Sequence, residues 1–182
     1  MDATRELLNA GTFHEATVEE VAEKAGVSRA TLYQHFPSRL DLVDTMCDTF
    51  AENPALVSVR ESVVLPDLDE ALEETIGDTV RFWSSEYAIL RQLYGASAVD
   101  PAARDLVVRQ LSDRRGEMQR LVRRLDEGGV LRPGLERAQA LAHMLVLTSF
   151  GTYSELHQEG LSDAKLIGQL QADARLLLLG KS

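Results

Sequence analysis

The sequence predicts an all-α protein of about nine helices, with a small amino-terminal three-helix unit followed by a larger helical part. Three observations lead there. Apolar residues recur at helical spacing through Val18, Val21, Ala22 and Ala25, through Leu72, Ile76, Thr79 and Val80, and through Leu111, Met118, Leu121, Val122 and Leu125. Strand-like runs are nearly absent, because Val59 and Val63-Val64-Leu65 lie beside charges or breakers. Gly26, Pro37, Pro54, Pro66, Gly95, Pro101, Gly128-Gly129, Pro133-Gly134 and Gly160 cut the chain into segments of helix length.

Composition narrows the class further. With 182 residues, 45% hydrophobic and 26% charged, the chain buries a sizeable core, so disorder is excluded. Apolar runs such as Met144 to Leu147 and Leu176 to Leu179 fall far short of the roughly 20 residues that span a bilayer. The start, Met1-Asp2-Ala3-Thr4-Arg5-Glu6, has neither a basic leader nor an apolar block, so the expected compartment is the cytoplasm. The single cysteine, Cys47, reads as a small buried apolar residue, and His14, His35, His143 and His157 form no close metal-ligand pair. No metal and no cofactor is expected. Neither paired carboxylates, nor a nucleophile beside a base, nor a Gly-rich phosphate loop is present, so no catalytic residues are assigned and an enzyme is not expected.

A net charge of −10 opposes binding to a phosphate backbone, but its distribution does not. Residues 1 to 48 hold four basic and nine acidic groups, yet Lys24 to Leu40 carries Lys24, Arg29 and Arg39 and no acid. Within this window the helix signals are dense. Thr17-Val-Glu-Glu20 has the form of a capping box, so a helix is expected from Val18 to Ala25. Gly26 suits the left-handed step that ends it, Val27 is expected to plug inward, and Ser28 caps the next helix. That helix, Arg29 to Phe36, puts Leu32 and Phe36 on one side and leaves Arg29, Ala30, Thr31, Gln34 and His35 on the other. Two helices joined by so short a turn make a helix-turn-helix, which lays its second helix in the major groove. Arg29 suits guanine, and Ala30 and Thr31 suit a thymine methyl or a base edge. Thr17, Tyr33, His35 and Arg39 suit phosphates.

The run from Thr17 to Arg39 resembles the DNA-binding signature of the TetR family of transcriptional regulators. The resemblance is carried by Gly26-Val27-Ser28, Thr31-Leu32-Tyr33 and His35-Phe36-Pro37-Ser38-Arg39, and it covers the first quarter of the chain. It implies that Ser28 to His35 is the recognition helix, that Tyr33, His35 and Arg39 touch phosphates, and that the remainder binds a small-molecule effector and dimerises. Two positions depart from the family pattern. Met1 lies almost on the first helix, with Asp2 and Glu6 nearby, so arm contacts to DNA are not expected. Leu40 stands where an acid is common, a change expected to bear on capping.

Ser38 to Asn53 reads as one helix running from the small part to the large one, started by Ser38 with Asp41 and stopped before Pro54. Asp67 to Asp78, with six acids, and Arg104 to Arg124, with seven arginines, read as solvated faces, Arg109 being laced between Asp105 and Asp113. Ala138 to Ser154 holds no charged residue and reads as a helix covered nearly all round, which takes two partners. The last helix, Asp163 to Leu179, carries Leu166, Ile167, Leu170, Ala174, Leu177 and Leu178 for packing, with Ala164, Gly168 and Ala172 permitting close approach. These two carboxy-terminal helices are the expected homodimer interface. An effector pocket is expected among the middle helices, with Trp83, Tyr87, Tyr94, Met118, His143, Leu147 and Phe150 as candidate lining.

The sequence therefore divides into a helix-turn-helix DNA-binding domain, 1–48, and a helical effector-binding and dimerisation domain, 49–182. The expected function is a DNA-binding transcriptional regulator, a repressor released by an effector from a palindromic operator. The alternative is a helical ligand sensor or adaptor that no longer binds DNA, motivated by the missing arm and the acidic charge.

Overall fold

In the computed structural model, residues 18–180 are described. They form ten α-helices: α1 (Val18–Lys24), α2 (Arg29–His35), α3 (Arg39–Asp48), α4 (Pro54–Ser62), α5 (Leu68–Ser85), α6 (Tyr87–Ser97), α7 (Pro101–Glu127), α8 (Arg137–Leu147), α9 (Phe150–Gln158) and α10 (Asp163–Leu178). A 3-10 turn, Thr49–Glu52, follows α3. The β structure among the described residues is an isolated antiparallel bridge between Leu131 and Leu179. The chain divides into two compact units, Met1–Ala51 with Glu86–Gln110, and Glu52–Ser85 with Leu111–Ser182.

In the first unit the buried apolar side chains among the described residues are Val21, Ala22, Leu32, Leu42, Val43, Cys47, Phe50, Ile89, Leu90, Leu93, Ala103, Leu106 and Val107. Helices of seven residues, like α1 and α2, do not persist alone in water, so this burial is what holds them. α3 starts as the sequence predicts. The Ser38 N–H and hydroxyl both donate to the Asp41 carboxylate at 2.7 Å, and the Asp41 N–H donates back to Ser38 Oγ at 3.2 Å. It does not run on to Asn53, however. The helix ends at Asp48 and tightens into the 3-10 turn, because Asn53 is committed to a new helix: its Oδ1 accepts from the Ala55 N–H at 3.0 Å and Pro54 occupies the first helical position. Arg109 also has a partner beyond its own helix, pairing with Asp44 on α3 at 3.0 Å.

Cys47 is 1% exposed. Burial pushes its thiol from 9.0 up to about 12, Asp44, Asp48 and Glu86 push the same way, and Arg109 pulls against them. Because the folded value is raised, the neutral thiol favours the folded state below pH 9, and that contribution is lost as pH climbs towards 12. A thiol at about 12 holds roughly a thousand-fold less thiolate at pH 8 than one at 9.0. Iodoacetamide is therefore expected to label native protein at least that much more slowly than the urea-unfolded chain. Comparable rates would show an accessible thiolate.

The second unit centres on α5, which packs against α4, α9 and α10, while α8 and α9 also pack on α10. Leu72, Ile76, Thr79 and Val80 are all buried, as their spacing predicts, and so are Met118, Leu121, Val122 and Leu125 on α7. Arg124 caps the end of α4, donating to the carbonyls of Val63 and Leu65. The chain's far end is fastened by the Arg132 N–H donating to the Leu178 carbonyl at 2.8 Å, and by the Gly180 N–H donating to the Val130 carbonyl at 3.2 Å. The acidic stretch at the start of α5 is not a bare solvated face: Asp69 and Glu73 pair with Arg175, and Glu74 and Asp78 pair with Arg81.

Residues 138 to 154 form two helices, not one. The Thr148 hydroxyl donates to the Met144 carbonyl at 2.7 Å, competing for the end of α8, and Ser149 Oγ accepts from the Thr152 N–H at 3.0 Å to start α9. Nor is α8 covered all round within one chain. Ala140, Met144 and Leu147 are buried, whereas Ala138, Ala142 and Val146 are exposed. On α10, Leu166, Leu170, Ala174 and Leu178 are buried, and Ala164, Gly168, Ala172 and Leu176 lie exposed.

Candidate nucleic-acid interface

α1 ends where Gly26 takes φ +67, a conformation that costs a residue with a Cβ about 1 kcal/mol or more. The step lets the Val27 N–H donate to the Ala22 carbonyl at 3.0 Å. Val27 does not plug inward as expected. Its side chain is 40% exposed, and the turn uses its backbone. Ser28, in extended conformation, caps α2: its Oγ accepts from the Thr31 N–H at 3.1 Å and shares a hydrogen bond with Thr31 Oγ1 at 2.8 Å.

α2 buries one residue of its seven, Leu32. Arg29, Ala30, Thr31, Tyr33, Gln34 and His35 are exposed, Phe36 is half-buried, and the Phe36 N–H closes the helix on the Leu32 carbonyl at 2.8 Å. The first turn carries no acid, so the helix forgoes the favourable charge–dipole contact that Asp or Glu would give there. What it keeps is a surface free of groups that would repel a phosphate. The Arg29 guanidinium lies 5.4 Å from the centre of the Tyr33 ring, one turn further along. Pairing of Arg29 with Tyr33 is within reach of the i,i+4 spacing, but no charge rule marks it in the sequence. Among the predicted DNA contacts, the structure thus brings Ser28, Arg29, Ala30, Thr31, Tyr33 and His35 onto or beside one short helix. Thr17 lies outside the described residues, as does the side chain of Arg39, which opens α3.

The candidate effector residues fall into two sets. Trp83, Met118, His143, Leu147 and Phe150 belong to the second unit, and Tyr87 and Tyr94, both half-buried on α6, to the first. Trp83 and Phe150 meet edge to face with ring centres 5.7 Å apart, and Phe82 stands 5.0 Å from Trp83. Met118 is fully buried, Leu147 is buried and His143 is half-buried. Sequence reasoning missed the polar joint beside this set. Buried Thr148 accepts the Trp83 indole N–H on its carbonyl at 3.0 Å and an Arg114 N–H on its hydroxyl at 2.8 Å. Arg114 also donates to the Leu145 carbonyl at 3.3 Å. Among the described residues, no three of His, Cys, Asp and Glu come together as metal ligands would, and no helix is long and apolar enough to cross a membrane.

Residues 1–46 match the sequence profile of the bacterial regulatory proteins of the tetR family. That match covers the first quarter of the chain. The whole chain follows the fold of solved structures of low identity. A TetR-family transcriptional regulator, PfmR, from Thermus thermophilus is 18% identical, with the alignment covering 100% of this chain and 94% of that one at a TM-score of 0.72. A TetR transcription regulator from Haloarcula marismortui is 15% identical, covering 97% and 95% at 0.77. A regulator from Saccharomonospora viridis, solved in complex with choline, is 18% identical, covering 99% of each chain at 0.70.

Proposed function

We propose that the protein is a homodimeric repressor that holds a palindromic operator and is released from it by a small-molecule effector. Residues 1–48 read the DNA, and residues 49–182 bind the effector and dimerise, in the cytoplasm where the operator lies. The observation that carries this reading is the exposed, acid-free surface of α2, with Arg29 at its start behind a capped, glycine-turned corner. Arg29, Ala30 and Thr31 face base edges, while Thr17, Ser28, Tyr33, His35 and Arg39 hold the backbone. A polarisation titration against duplexes selected from the organism's own promoters is expected to give sequence-specific binding whose log K falls with log salt at a slope of about −5, from about six phosphate contacts per dimer. Salt-insensitive binding, or none, would favour the alternative of a sensor that does not touch DNA.

Dimerisation is supported by two apolar rows left open in the single chain. Ala138, Ala142 and Val146 on α8, and Ala164, Gly168, Ala172 and Leu176 on α10, each repeat every four residues, the spacing of ridges that interdigitate between helices. Val146 and Leu176 are 64% and 74% exposed, which a soluble chain tolerates best when a second copy covers them. Leu176→Glu combined with Val146→Glu is expected to halve the mass seen by light scattering without lowering helix content. An unchanged mass would place the interface elsewhere.

The effector reading draws on Trp83, Met118, His143, Leu147 and Phe150 gathered in one unit, with Tyr87 and Tyr94 as outlying candidates. The choline-bound relative supports a small organic molecule as the effector class. Effector binding shifts the operator-competent population only by its difference in affinity between the bound and released states.

A further inference from the structure

The Arg29 guanidinium sits 5.4 Å from the centre of the Tyr33 ring, with Tyr33 38% exposed beside it. An arginine at the first position of a helix has four rotatable side-chain bonds to fix before it donates two parallel hydrogen bonds to a guanine. Resting on the DNA-binding reading above, we propose that Tyr33 is a positioning residue for base recognition: its ring holds the Arg29 guanidinium over the exposed face of α2, so that sequence discrimination at the base pair read by Arg29 depends on the aromatic ring of Tyr33.

The chemistry supports this role over a phosphate contact alone. A tyrosine that only touches a phosphate acts through its hydroxyl and weakens all duplexes alike when that hydroxyl is removed. A ring that restrains a guanidinium acts through its π-face, independently of the hydroxyl, and its loss is felt at one base pair.

The test compares Tyr33→Phe, Tyr33→Leu, Arg29→Ala and the Tyr33→Leu/Arg29→Ala double variant. Binding is measured to a duplex selected by the wild-type protein from a random pool, and to its single-base variants. Tyr33→Phe is expected to keep wild-type discrimination at the Arg29 base pair, even where overall affinity falls. Tyr33→Leu should lose about 2- to 5-fold of that discrimination per half-site, from the usual size of an exposed cation–π contact. In the double variant the Tyr33→Leu change should cost no further discrimination at that pair. If Tyr33→Leu weakens all duplexes equally, or if the two effects add, the proposal is overturned. A second measurement needs no DNA. The Arg29 side-chain protons of the free protein should show a ring-current shift that Tyr33→Phe retains and Tyr33→Leu abolishes. Absence of that shift in the wild type overturns the stack, while a wild type that selects no duplex overturns the DNA-binding reading itself.

Discussion

Arg29→Ala should reduce affinity for the selected operator by roughly thirty-fold or more while leaving weak, sequence-independent binding largely in place, since one bidentate contact per half-site carries about 1–3 kcal/mol of discrimination, counted twice in a symmetric dimer. Because Arg29 is exposed, the substitution should cost no more than about 1 kcal/mol of stability, the size of an exposed cation–π contact. The informative pattern is therefore the pair of measurements: competitor DNA displaces the variant easily, yet its thermal melt stays close to that of the wild type. Equal losses on operator and random DNA would instead assign Arg29 to the phosphate backbone.

Trp83→Ala acts at the opposite end of the scale, on stability. Trp83 is 4% exposed, meets Phe82 and Phe150, and donates its indole N–H to the Thr148 carbonyl. Truncation to alanine should cost about 3–5 kcal/mol, the usual range for a large aromatic removed from a core. Trp83→Phe separates the two contributions, since it keeps a ring and leaves a buried carbonyl without its donor, at about 1–3 kcal/mol. As Trp83 is the only tryptophan, urea unfolding of the variants has to be followed by circular dichroism. If alanine and phenylalanine proved equally mild, the site would be loosely packed, the condition expected of an effector pocket rather than a core.

The helical class and the short capped helix α2 were legible because they rest on local chemistry. Ser28, Gly26 and the Ser38–Asp41 pair act within four residues of their own positions, and the sequence shows both partners of each hydrogen bond. What stayed hidden is non-local. Asp44 and Arg109 are 65 residues apart, as are Trp83 and Thr148, and no periodicity links them. The helix break at Thr148–Ser149 was hidden for a different reason: neither residue is a breaker by composition, and both act by turning a hydroxyl on the backbone. Val27 misled because hydrophobicity speaks for a side chain, whereas the turn calls on its amide. The six-acid stretch misled because charge on a helix face looks solvated until its distant partners, above all Arg175, are known.

The seven-residue length of α2, secured by Leu32 alone among its side chains, ties the proposed recognition to matter that would never meet DNA. Such a short coil keeps no order of its own, so its grip on sequence can be no firmer than the apolar seat beneath it. Hollowing that seat would abolish the proposed binding as completely as erasing a base contact, though every outward-facing atom stayed in place.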